Sequence, residues 1–131
     1  MQMILVLGAA VLLAAFSGDS GNPLDRALAA AEEGRHETAA YHYSVALSKG
    51  TLGAGDQSIA HNNRGVAYAR LGWYEAALSD FTAAKSMAVG DSILFTNMKT
   101  AKKLLYARKH DLAPPPAVFQ VRDQSRAVWL F

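Results

Sequence analysis

Residues 63–84 read Asn63-Arg64-Gly65-Val66-Ala67-Tyr68-Ala69-Arg70-Leu71-Gly72-Trp73-Tyr74-Glu75-Ala76-Ala77-Leu78-Ser79-Asp80-Phe81-Thr82-Ala83-Ala84. Gly72 divides two apolar-periodic segments, so this stretch predicts two helices joined by a tight turn. Upstream, residues 33–47 align on residues 71–85. Gly34 matches Gly72, Ala39 matches Ala77, Tyr43 matches Phe81 and Ala46 matches Ala84, every pair offset by 38 residues. Four matches at one offset are hard to attribute to composition. Within each unit the alanine and the aromatic lie at i and i+4 on one helix face, with the next alanine at i+7. Small residues let helices approach, and the ring fills the space between them. Such a hairpin cannot bury its face alone.

Residues 63–84 resemble the tetratricopeptide repeat, of the short exported bacterial type. The family's first-helix pattern appears as Gly65, Ala67 and Tyr68, and its turn and second-helix pattern as Gly72, Tyr74, Ala77, Phe81 and Ala84. The earlier unit resembles the second half through Gly34, Ala39, Tyr43 and Ala46, with Ala27 and Ala30 in place of the larger first-helix pattern. The closing proline is missing after Met87, where Ala88-Val89-Gly90-Asp91 stands instead. The resemblance implies an all-α fold of antiparallel helical hairpins stacked as a short right-handed solenoid, about two repeats plus a terminal helix. It also implies a concave groove that takes a peptide or protein. By alignment Asn62, Val66, Ala69 and Arg70 face that groove from the third helix, and Asn97 and Thr100 from the fifth. The family's carboxylate-clamp variety needs a lysine where Asn62 sits and an asparagine where Val66 sits, so recognition of an acidic chain end is not expected.

Five helices are expected between residues 22 and 109. The first spans 23–33 with Asn22 as cap and a proline in its first turn; the second spans 36–48. A connection with Gly50, Gly53 and Gly55 follows, four residues longer than the regular repeat allows. The third helix follows Asp56 as cap and runs to 71, the fourth spans 73–87, and the fifth follows Asp91 as cap and reaches 109. In the fifth, Leu94, Met98, Ala101 and Leu105 share one face.

The ends of the chain read differently. Residues 3–16, MILVLGAAVLLAAF, are an uninterrupted apolar run. A membrane-spanning helix needs about 20 such residues, whereas the apolar region of an export signal needs about 7–15. Small residues at 15 and 17 suit cleavage after Ser17, so residues 1–17 are expected to be a signal peptide and the mature chain secreted or periplasmic. The alternative is an uncleaved inner-membrane anchor through residues 3–16, which makes the chain a membrane-tethered structural subunit. Residues 110–116 form a proline-rich linker, and 117–131 an apolar tail rich in Val, Phe, Trp and Leu. A solvated tail does not normally carry so many large apolar groups. Three fates compete for it: packing back on its own helices, insertion into a partner or a second copy by self-association, or a loose end.

The remaining chemistry is excluded class by class. The 131 residues, 51% apolar and 18% charged, suit one folded domain. A net charge of +2 is too small to imply nucleic acid, which calls for a dense basic face. Lys99, Lys102, Lys103, Arg108 and Lys109 could dock an acidic partner or anionic lipid, but a solvated face that complements a helix end is the simpler reading. With no cysteine, disulfides and thiolate chemistry are absent. His36, His42, His61 and His110 do not fall in a metal-ligand spacing. No nucleophile elbow, phosphate-binding loop or converging pair of acids is present. The expectation is a protein-interaction module without cofactor or metal, not an enzyme.

Overall fold

The computed structural model describes residues 21–122 and the backbone of residues 127–130. The expected export segment, residues 1–17, lies outside the described residues, as do residues 123–126 and 131 of the tail. Five helices carry the described chain: α1 (Pro23–Glu32), α2 (His36–Ser48), α3 (Ala54–Arg70), α4 (Tyr74–Met87) and α5 (Ser92–Lys109). Two short strands follow, β1 (Phe119–Arg122) and β2 (Ala127–Leu130). They pair antiparallel, with Phe119 opposite Leu130 and Arg122 opposite Ala127. Among the described residues no helix is long and apolar enough to cross a membrane.

Helix starts follow the local chemistry. The Asn22 side chain accepts from the Leu24 N–H at 3.0 Å, and Pro23 fills the first helical position, where no donor is needed. Asp91 does the same for α5, accepting from Ile93 and Leu94. At α3 the expectation needs correcting. Its cap is Gly53, in extended conformation, and Asp56 lies inside the first turn. The Gln57 side chain donates to the Leu52 carbonyl at 2.8 Å and holds the incoming loop. A carboxylate in the first turn faces the positive helix end, a favourable place for it.

The two hairpin turns close identically. Gly34 and Gly72 have φ of 76° and 81°. The Gly34 N–H donates to Ala31 and the Arg35 N–H to Ala30; 38 residues on, Gly72 donates to Ala69 and Trp73 to Tyr68. This is the paired closure that satisfies the last carbonyls of a helix and turns the chain back. The end of α5 repeats it. Asp111, at φ 53°, stands where the glycines stood, and the Leu112 N–H donates to Ala107. Helices α1, α3 and α5 therefore finish alike.

Each helix packs on the next along the chain, and α3 also touches α1 and α5. The core falls into two clusters. One centres on Tyr43 with alanines of α1 and α2. The other joins Val66, Phe81, Leu94 and Leu104 to Phe119 and Val121 of β1. On α5 the buried stripe is Leu94, Asn97, Ala101, Leu104 and Ala107, with Met98 and Leu105 only half-buried. The expected stripe through Leu105 is thus rotated. The cause is that α5 contacts α4 and β1 together, which draws Asn97 and Leu104 inward.

Polar pairing ties three helices together. Arg64 of α3 donates to both carboxylate oxygens of Asp80 on α4, at 2.8 and 2.7 Å, and to Ser44 of α2 at 3.0 Å. His61 meets the same carboxylate at 2.9 Å. Asp80 is buried, so this set of partners compensates for its lost water. Arg108 of the basic cluster is exposed, as the solvated reading expects, and also makes surface contacts. It donates to the Gly72 carbonyl and to Glu75, and lies over the Tyr74 ring at 4.8 Å.

Gly65 marks a close approach of α3 and α4. A Cβ there would stand 2.7 Å from a Phe81 ring carbon and 3.1 Å from the Ala77 carbonyl oxygen. Alanine gains about 1 kcal/mol over glycine in a helix, but overpacking a core costs about 1–3 kcal/mol. Gly65→Ala is therefore expected to destabilise, by up to about 2 kcal/mol. Urea unfolding checks this; a gain in stability would show that α3 and α4 are farther apart than described.

Candidate functional site

Asparagine is a poor residue for a helix interior, because its amide competes for backbone groups. Three asparagines nevertheless sit buried in α3 and α5: Asn62, Asn63 and Asn97. Their amides form a chain across the face between the two helices. Asn97 Nδ2 donates to Asn62 Oδ1 at 2.8 Å, Asn62 Nδ2 to Asn63 Oδ1 at 3.0 Å, and Asn63 Nδ2 to the Tyr43 hydroxyl at 3.1 Å. Burial pushes the Tyr43 hydroxyl pKa well up, so it stays protonated.

The chain of amides holds an extended backbone. Gln120 N–H donates to Asn97 Oδ1 at 3.0 Å, and the Gln120 carbonyl accepts from Asn97 at 2.8 Å and Asn62 at 3.1 Å. Two residues on, Arg122 N–H donates to Asn63 Oδ1 at 2.7 Å, and its carbonyl accepts from Asn63 Nδ2. Asn97 and Asn63 thus each grip both polar groups of one residue. Alternate residues of a strand turn those groups to the same edge, so the spacing of the two asparagines matches a strand. The opposite edge of β1 pairs with β2.

Side chains fill the remaining space. Phe119 and Val121 are fully buried. The Phe119 ring stacks on Phe81 with centroids 6.4 Å apart, and the Arg70 guanidinium lies 5.7 Å from its centre. Arg122 donates to Asp91 Oδ1 at 2.9 Å, the oxygen that caps α5.

Of the expected groove residues, Asn62, Val66, Ala69 and Asn97 are all buried around this strand, and Arg70 covers its aromatic. Thr100 is half-buried on the next turn of α5 and takes no part in the described amide network. The residues were expected to line an open groove; the chain's own β1 lies on them instead. Of the three fates weighed for the tail, residues 119–122 follow the first and pack back on the helices. Asn63 was missed as a site residue, although two adjacent asparagines in mid-helix are a visible signal. No family model matches this chain, and no curated protein or solved structure matches it.

Among the described residues no three His, Asp or Glu side chains converge as a metal set. His36, at the start of α2, has a lowered pKa, first from burial and then from the Arg70 charge. Its folded value lies below the unfolded value of about 6.5. On acidification the unfolded chain therefore takes up this proton first, and stability falls as pH drops through that value. His36→Gln is expected to flatten the dependence of the urea midpoint between about pH 7.5 and 5; an unchanged slope would assign the dependence to other groups.

Proposed function

We propose that this chain is a short tetratricopeptide-type adaptor whose groove takes an extended segment of a protein partner. The observation that carries the reading is the bidentate grip of Asn97 and Asn63 on a strand backbone. Peptide-recognition surfaces of this kind draw affinity from main-chain hydrogen bonds and selectivity from side-chain pockets, and both are present here. The repeat reading is supported by the shared closure of α1, α3 and α5 at Gly34, Gly72 and Asp111. It is supported also by the Gly65–Phe81 approach, which uses two positions of the repeat pattern. Stacked arrays generally need about three units and covered ends, and α5 with β1 supplies cover at the second hairpin. The apolar run at residues 3–16 supports a site of action reached by export.

The test is photo-crosslinking in producing cells from a benzoyl-phenylalanine placed at Thr100, beside the groove. The adaptor reading expects a discrete crosslinked protein that disappears in an Asn62→Ala, Asn97→Ala background. Crosslinks confined to the chain itself would contradict it.

A further inference from the structure

We infer that Phe119–Arg122 is an internal stand-in for the partner, and that the partner presents an extended segment in which an aromatic is followed two residues on by a β-branched residue and then by a basic one. This rests on the adaptor reading. The backbone contacts at Gln120 and Arg122 demand only an extended residue with a free N–H at two alternate positions. They exclude proline there and ask nothing else. Selectivity comes from the pockets. The first takes a flat ring between Phe81 and the Arg70 guanidinium. The second encloses the Val121 side chain completely. The last position ends at Asp91, which rewards a cation.

The strand is built to be exchanged. Residues 112–118, which join it to α5, lie outside any regular element and contain Pro114, Pro115 and Pro116. A proline run is a semi-rigid spacer, and the side-chain hydrogen bonds that hold β1 come from Asn62, Asn63 and Asn97, not from this connection. A partner segment making the same contacts replaces β1 without any change in the helices. The tether works against it: a strand on a short linker competes at an effective concentration of about 1 mM. The tail therefore sets a threshold, and short free peptides bind the intact chain poorly.

The probe is a fluorescein-labelled, end-blocked hexapeptide with the sequence of residues 117–122, Ala-Val-Phe-Gln-Val-Arg. Its binding is followed by fluorescence polarisation against the full chain. Phe119→Ser loosens the tail, and Arg122→Glu does so without removing a core group. Both variants are expected to bind the probe about tenfold or more tighter than the wild type does. A probe with serine for phenylalanine, or N-methylated at the residue matching Gln120, is expected to lose that gain. Equal binding by wild type and variants, or binding by none, overturns the inference. So does a wild-type chain that sediments as a dimer held by exchanged tails, since a second copy is then the occupant. A Thr100-crosslinked partner lacking the aromatic and β-branched spacing also overturns it, while leaving the adaptor reading in place. Tight probe binding with no crosslinked protein supports the pocket assignment and removes the adaptor reading instead.

Discussion

Phe81→Ala is expected to lower stability by about 3–5 kcal/mol, the range for removing a fully enclosed aromatic. Phe81 has no exposed surface. Its ring occupies the space that Gly65 leaves open and stacks on Phe119. It therefore holds α3, α4 and β1 together. Small domains have about 5–15 kcal/mol in total, so the variant should lie near the limit of folding. Urea unfolding followed by helical circular dichroism measures this. A loss under about 1 kcal/mol would mean that the ring is not enclosed as described. Phe119→Ala should behave otherwise despite equal burial. The tail can leave the groove, so its cost is capped by the free energy of docking.

Asn97→Ala should free the tail while leaving the helices folded. The change removes the acceptor of the Gln120 N–H, one of two donors to its carbonyl, and the donor to Asn62 Oδ1. Each buried polar group left without a partner costs about 1–3 kcal/mol. Alanine is meanwhile the better helix former, so α5 itself gains. The strand leaves and its polar groups return to water. Trypsin cleavage after Arg122 reports the opening, because cleavage follows the open population when reclosing is fast. A docking loss of about 3 kcal/mol makes cleavage faster by on the order of a hundredfold. Cleavage at the wild-type rate would show that Asn97 does not hold the strand.

The helices were legible because their signals are local. Asn22 and Asp91 mark starts, Gly34 and Gly72 mark turns, and the Gly–Ala–aromatic–Ala order repeats at one offset. The α3 start was misplaced because Gly53 and Asp56 are both competent near a helix start, and the choice rests on Gln57 reaching back to Leu52. The α5 face was misplaced because Leu104 and Leu105 are chemically equal. What separates them is β1, a segment distant in sequence. The groove positions Asn62, Val66, Ala69, Arg70 and Asn97 followed from the repeat resemblance, and all five gather at one place. Neither Asn63 nor β1 followed from it. A four-residue strand has too short a pattern to stand out, and its partners on α3 lie 58 and 59 residues away. The tail's apolar content showed that it needs cover without showing where.

Amide hydrogen exchange at Gln120 and Arg122, measured by NMR on the full chain, tests most directly whether the asparagines hold an extended backbone. Both N–H groups point at buried side-chain oxygens and not at β2. Slow exchange at both in the wild type, with both losing their protection in Asn97→Ala, where the strand leaves, is the predicted result. Exchange at the rate of an unstructured chain at these two positions would contradict the seated strand, and with it the groove chemistry built on it.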